Sequence, residues 1–351
     1  MRISIKAAPT FPCAALALFF IASGAAKASD VRPGSIVRPP FRPTVSLALP
    51  NRFGNARSAG SLPLPRPGAM SLLPPVATTV DRYAYGCVFY ANACGIYELG
   101  GALVGAIGNL NGPQGVDVDT YGYVYVANTY ANSGQGGQVL IYAPGGTSLL
   151  TTLSDPGQLP ALAKVYRRVL AVSDFYSTTF GPGKLAVYKL PSRTGSPDYY
   201  LNDAAAFEGE SVAFDAEGNC YWSYNTAFGA GPGHIDKFRA CARGARPVSL
   251  GITTQFAGGV AFDSSGNLWY TDQLAGTVNV CPSGGGACFE ELGGFGDPVT
   301  LSWDGVNNMY VMDATAGIYQ VTILGNPSGL VSIPASQIGV GVGVALSVET
   351  E

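Results

Sequence analysis

Six glycines at spacings of 41 to 50 residues each open an apolar-rich run: Gly95-Ile-Tyr-Glu-Leu, Gly137-Gln-Val-Leu-Ile-Tyr, Gly183-Lys-Leu-Ala-Val-Tyr, Gly233-His-Ile-Asp-Lys-Phe, Gly276-Thr-Val-Asn-Val and Gly317-Ile-Tyr-Gln-Val. A period of this length is one supersecondary unit used repeatedly, and a single unit cannot bury its own apolar face. The chain is therefore constrained to an open array of stacked copies or to a closed ring of them.

The clearest copy is Phe256 to Asp272, FAGGVAFDSSGNLWYTD. Val260 and Phe262 alternate with smaller residues, Ser264-Ser265-Gly266-Asn267 turns the chain, and Leu268 to Thr271 is a β-branched and aromatic run. This is the pattern of strand, tight turn, strand. First strands recur at Val116/Val118, Ala163/Val165, Val212/Phe214, Val299/Leu301 and Val344/Leu346, and second strands at Tyr123 to Ala127, Val169 to Ser173, Cys220 to Ser223 and Met309 to Met312. One copy is degenerate, because Val165-Tyr-Arg-Arg-Val lacks the turn glycine.

The two ends complement each other. Gly86-Cys-Val-Phe-Tyr-Ala-Asn92 matches Gly122-Tyr-Val-Tyr-Val-Ala-Asn128 position by position, so the ordered region begins on a second strand. Gly343-Val-Ala-Leu-Ser-Val348 resembles the first strand Gly259-Val-Ala-Phe-Asp263 but has no second strand after it. The C-terminal strand is expected to complete the N-terminal blade. An open array would need capping repeats instead. The expected fold is thus all-β, a six-bladed β-propeller of four-stranded blades over residues 80–351, closed so that no long sheet edge is exposed.

Gly259-Val-Ala-Phe-Asp-x-x-Gly-Asn-Leu-Trp-Tyr-Thr-Asp272 and Pro113-Gln-Gly-Val-Asp-Val-Asp-Thr-Tyr-Gly-Tyr-Val-Tyr-Val-Ala-Asn128 resemble the NHL-type repeat. At fold level the chain is similar to the propellers of gluconolactonase, regucalcin and streptogramin lyase. That resemblance implies a ring but no single function, because one fold hosts many sites. Gluconolactonase-type propellers hold a divalent metal with a Glu-x-Pro segment leading into a first strand. This chain has Glu208-Gly-Glu210-Ser-Val and Gly296-Asp297-Pro-Val, similar in kind but without Glu-x-Pro itself. Streptogramin-lyase-like chemistry uses histidines beside a glutamate, whereas His234 is the single histidine.

Composition agrees with many short strands: Gly 47, Pro 25 and only 12% charged residues. Arg2 and Lys6 precede an apolar run from Phe11 to Ala22 and then Ala26-Lys27-Ala28, the pattern of a secretory signal peptide over residues 1–28. The run is shorter than the roughly 20 residues of a membrane span. Residues 29–79 read as a linker, with ten prolines between positions 31 and 76. Charge divides the same way: residues 30–79 carry six arginines and one acid, whereas residues 80–351 carry 22 acids against 11 Lys and Arg. The basic linker suits electrostatic contact with an anionic envelope. The acidic body disfavours nucleic acid. The exported chain is expected in the periplasm, the cell envelope or the medium, as a monomer.

Removal of Cys13 with the signal leaves six cysteines, which favours disulfides in an exported chain. Cys281 with Cys288 and Cys220 with Cys241 are candidate pairs by position. Cys87 with Cys94 is left over, with Cys94 expected in a turn. Six cysteines allow fifteen connectivities, so the pairing stays open.

In a ring of this kind the loops leading into first strands and those leaving second strands share one face. The residues leaving second strands are Asn92, Asn128, Asp174, Tyr224, Asp272 and Asp313, and two before the first-strand valines stand Gln114, Glu210 and Asp297. Asn92, Asn128, Asp174, Glu210, Asp272, Asp297 and Asp313 are the candidate oxygen-lined mouth. Asn and Asp commonly end strands as turn caps. The sharper expectation is a site for Ca²⁺ or another divalent cation held by Asn128, Glu210, Asp272 and Asp297. Aromatic residues of the second strands, including Phe89, Tyr125, Trp222, Trp269 and Tyr310, are expected between blades. The leading functional expectation is a non-catalytic binding module for a protein or glycan partner. A metal-dependent lactonase-like hydrolase using the same mouth and a structural envelope protein are the alternatives.

Overall fold

The structure, a computed structural model, describes residues 83–99, 101–131, 135–146, 148–192, 194–322, 330–334 and 341–346. Residues 1–28 and 29–79, expected as signal peptide and linker, lie outside the described residues.

The first blade begins with β1 (Tyr83–Val88), β2 (Ala93–Glu98) and β3 (Leu103–Ile107). The second is β4 (Pro113–Val118), β5 (Val124–Asn128), β6 (Gly136–Tyr142) and β7 (Leu149–Pro156). The third is β8 (Gln158–Tyr166), β9 (Val169–Ser177), β10 (Leu185–Lys189) and β11 (Tyr199–Leu201). The fourth is β12 (Glu208–Phe214), β13 (Cys220–Ala227), β14 (Ala230–Phe238) and β15 (Pro247–Thr254). The fifth is β16 (Ala257–Phe262), β17 (Leu268–Asp272), β18 (Thr277–Cys281) and β19 (Phe289–Gly293). The sixth is β20 (Pro298–Trp303), β21 (Asn308–Asp313), β22 (Gly317–Thr322) and β23 (Leu330–Pro334), and β24 (Gly341–Leu346) returns to pair antiparallel with β1. Each sheet has four strands. The inner strands touch their neighbours in the order β24, β4, β8, β12, β16, β20 and back to β24, which closes a six-bladed β-propeller.

An aspartate at the end of the inner strand shapes most of the hairpins. Asp215 Oδ1 accepts the Glu217 and Asn219 N–H groups, and its Oδ2 accepts Asn219 Nδ2 at 2.7 Å. Asp263 repeats this with Ser265 and Asn267, and Asp304 with Val306 and Asn308. Each turn needs a residue with positive φ, supplied by Gly218 (82°), Gly266 (77°) and Gly305 (81°). In the degenerate third blade Arg167 takes that conformation itself, at φ 55°.

Side chains of a middle strand alternate between the two neighbouring blades, as the two-residue period requires. Leu268 and Tyr270 pack with the fourth blade, and Trp269, between them in sequence, packs with the sixth. The core is accordingly six apolar clusters, one at each junction between blades. Trp222 is fully buried at the junction of the third and fourth blades, where its Nε1 donates to Ser173 Oγ at 2.9 Å.

Three disulfides pin hairpins within single blades: Cys87–Cys94, Cys220–Cys241 and Cys281–Cys288. The position expected for Cys94 is corrected. It lies in β2 directly across from Cys87, not in a turn. The cause is a slip of the first blade relative to its sequence match. Gly86 pairs with Val344 as Val126 pairs with Val116, so β1 runs four residues ahead of the alignment of Gly86 with Gly122. Val88, rather than Asn92, stands where the second blade has Asn128, and Phe89–Ala91 form a short 3-10 turn beyond the strand.

Candidate functional site

Inner strands run away from the loops that lead into them, and second strands run back. The β1–β2, β5–β6, β9–β10, β13–β14, β17–β18 and β21–β22 loops therefore share one face, the mouth, with the loops leading into inner strands.

Most of the residues that leave second strands hold those loops. Asn128 Oδ1 accepts the Asn111 N–H at 2.6 Å. Asp272 accepts Gln255 and Phe256 N–H through its two oxygens and also Ala275 N–H. Asp313 takes Gly296 N–H on Oδ2 and Thr315 N–H on Oδ1. Asn92, in the left-handed region at φ 53°, is exposed and takes Gly112 N–H from the loop leading into the second blade. Tyr224 does not line the mouth: it is buried against Trp222, and its hydroxyl donates to Asp236 Oδ2.

The residue one position further along faces the other way, because a step of one residue exchanges the two faces of a strand. Asn225 Nδ2 donates to Glu210 Oε1 at 2.9 Å while its Oδ1 accepts Ala257 N–H. Gln273 also hydrogen-bonds Glu210, and its Nε2 donates to the Ala257 carbonyl at 2.8 Å. Glu208, two residues before Glu210, accepts Gly229 N–H at 2.8 Å. Burial, then the nearby Glu208, pushes the Glu210 carboxyl well above the usual carboxylate range. Burial raises Glu208 to about 7, and burial plus the Asp313 charge raises Asp297 to about 7. The structure thus brings Glu210 and Asp297 together, adds Glu208, Asn225 and Gln273, and leaves Asn128 and Asp272 occupied by backbone donors. Asn225 and Gln273 are legible only as the residues after the two strand-end positions.

A second acidic group lies on the mouth side of the junction between the second and third blades. Asp155, at the end of β7, and Asp174, in β9, are both fully buried, and their carboxyls meet. Tyr200 donates to Asp155 Oδ1 at 2.8 Å. Ionised carboxylates only accept, so the contact between the two requires a shared proton. Burial raises both groups, and the Asp155 charge raises Asp174 further.

Aromatic rings from the loops of four blades adjoin these acids. Phe89 meets Tyr90 at 5.0 Å and Tyr130 at 5.7 Å between ring centres, and the Tyr130 and Tyr176 hydroxyls lie 3.3 Å apart. Tyr176 then meets Phe228 at 5.2 Å, and Phe180 meets Phe228 at 4.7 Å and Phe207 at 6.1 Å. Phe89 therefore belongs to the mouth, not to the space between blades, whereas Tyr125, Trp222, Trp269 and Tyr310 are buried between blades as expected. Gly112, at φ 60°, lies under the Phe89–Tyr130 contact, where a Cβ would come within 2.6 Å of the Tyr130 ring. An aromatic residue in four successive second-strand loops is a signal the sequence carries.

Among the described residues no three His, Cys, Asp or Glu side chains converge as a metal-ligand set. The donors at Asn128 and Asp272 are committed to backbone N–H groups, so the expected divalent cage does not fit this arrangement and no metal-dependent step is derived.

No protein-family model and no curated protein sequence matches the chain. Solved structures do. A chain of the nidogen/laminin complex aligns with a TM-score of 0.58 at 15% identity, covering 77% of this chain and 99% of that one. The chain shares its propeller fold. A protein of unknown function from Bacteroides caccae aligns with a TM-score of 0.57 at 9% identity, covering 76% and 99%. The calcium-binding protein regucalcin from Agrobacterium tumefaciens aligns with a TM-score of 0.47 at 11% identity, covering 62% and 72%. These likenesses are of fold alone.

Proposed function

We propose that this propeller is an exported, non-catalytic binding module that takes a protein partner on its mouth face. The observation that carries the reading is the ring-to-ring aromatic arc on that face, in which Tyr90 is 47% and Phe180 56% exposed. Aromatic rings that stay accessible on a rigid scaffold are the usual anchors of protein interfaces. Phe180 adds a second reason: it holds φ 63°, a conformation that a bulky side chain adopts only under strain. Strain of that kind concentrates where a side chain must be presented. The three disulfides fit an oxidising compartment. The nidogen/laminin chain offers a propeller of the same fold taken from a complex between proteins.

Photo-cross-linking in the native host tests this. A benzophenone side chain at Tyr90 or Phe180 is expected to give a discrete protein adduct. The same group at Tyr121 or Val306, exposed in hairpins of the opposite face, is expected to give none. Adducts from the opposite face alone would reverse the assignment.

A further inference from the structure

The mouth face is polarised in charge as well as in shape. Its loops carry Asp203 and Asp297, and the adjoining strand ends Glu208, Asp272 and Asp313, against Lys184 as the one Lys or Arg among the described residues of those loops. The hairpins of the opposite face carry acids too, Asp119, Asp198, Asp215, Glu217, Asp263 and Asp304, but offset them with Arg167, Arg168, Arg239, Arg243 and Arg246, so that their charges nearly cancel. Aromatic and acidic features meet at one point. Phe207 immediately precedes Glu208, and Glu208 accepts the N–H of Gly229, the residue after Phe228. Beyond Glu208 the acids continue through Glu210 to Asp297 and Asp313.

Resting on the protein-partner reading, we propose that this face docks an extended cationic stretch of polypeptide, in which Lys or Arg alternates with proline or other apolar residues. Extended proline-containing segments lie well on aromatic-lined surfaces because their conformation is already ordered. Cationic side chains gain both from ring faces and from a concentration of carboxylates. The rings meet mainly edge-to-face or tilted, at interplanar angles of 81° for Phe89–Tyr130, 85° for Tyr176–Phe228 and 58° for Phe180–Phe228. They make a corrugated strip suited to a polypeptide rather than a flat platform for sugar rings. A docked ammonium or guanidinium would also neutralise carboxyls that now crowd one another. Glu208 faces Glu210, Glu210 faces Glu208 and Asp297, and Asp297 faces Asp313, with Asn225 and Gln273 the neutral groups on Glu210.

The test is fluorescence anisotropy on the full chain with a short labelled Lys-Pro repeat peptide. Ser-Pro and Glu-Pro counterparts and a neutral linear oligosaccharide are run beside it. The Lys-Pro peptide is expected to bind about tenfold or more tighter than the Ser-Pro peptide. Binding is expected to weaken about tenfold from pH 8 to pH 5.5, as Glu208 and Asp297 take up protons. Phe180→Ala should weaken binding by about tenfold with thermal unfolding unchanged, E208Q should weaken it by about tenfold without lowering thermal unfolding, and Tyr121→Ala should leave binding unaltered. Equal binding of the Glu-Pro peptide, preference for the oligosaccharide, or indifference to Phe180→Ala would overturn the proposal. If the Lys-Pro peptide fails while Tyr90 and Phe180 still cross-link a protein, the cationic assignment falls and the protein-partner reading stands.

Discussion

Truncation after residue 340 is expected to abolish cooperative folding. Every residue of β24 is buried, and the strand forms the inner edge of the first blade between β4 and β20. Its backbone is enclosed closely: a Cβ on Gly343 would lie 2.5 Å from the Gln114 carbonyl, and Val344 N–H donates to Thr300 Oγ1 at 3.1 Å. Removing Val342, Val344, Ala345 and Leu346 forfeits apolar burial worth about 1.5–3 kcal/mol for each large side chain. It also leaves the inner edge of β1 and two flanking blades unpaired. The sum is comparable to the roughly 5–15 kcal/mol that holds a domain together. Near-UV circular dichroism and calorimetry of the truncated chain should show no sharp transition. Grafting residues 341–346 ahead of Tyr83 through a turn like Asp263–Asn267 should restore it, because β24 and β1 then become an ordinary hairpin. A truncated chain that unfolds cooperatively near the parental temperature would mean that the ring does not depend on this closure.

Asp174→Asn is expected to stabilise the protein at pH 8 and to do nothing near pH 4. Asp155 and Asp174 are both fully buried, and Asp174 has no hydrogen-bond donor on either oxygen. The folded state holds their proton more tightly than the unfolded chain does. The favourable contribution is therefore complete below the unfolded carboxylate value and is lost as pH rises through the folded value. For Asp155 alone the rise from 3.8 to about 6 corresponds to about 3 kcal/mol of stability lost by pH 8. Asparagine keeps the shape and donates N–H to Asp155 at every pH. Thermal unfolding should rise by about 5–10 °C at pH 8, with the gain shrinking steadily below pH 6. A gain independent of pH, or a loss at pH 8, would show that the two carboxyls do not share a proton.

The candidate site was legible in part. Strand-end Asn and Asp residues are recognisable from the repeat, and the structure uses Asn128, Asp272 and Asp313 as clamps on neighbouring loops. Asn225 and Gln273 escaped because facing depends on a one-residue step, and bulges such as that between Gly209 and Ser211 move it. Asn92 was placed by an alignment whose composition fits, yet β1 takes its register from β24, more than 250 residues away in sequence. The Asp155–Asp174 contact joins the last strand of one blade to the second strand of the next.

What the sequence determined by itself is everything with a short period. Alternation specifies strands, Asp-x-x-Gly turns specify hairpins, six glycines count the blades, and two incomplete ends foretell the closure. Each of these rests on interactions within a few residues or on the need to bury one face. The tertiary structure alone decided how the blades meet. It set the register of the first blade, the direction of side chains at the mouth, the aromatic arc built from four separate loops and the carboxyl pair shared between blades. Those features depend on contacts between segments some 20 to 250 residues apart, whose alignment is fixed only when the ring closes.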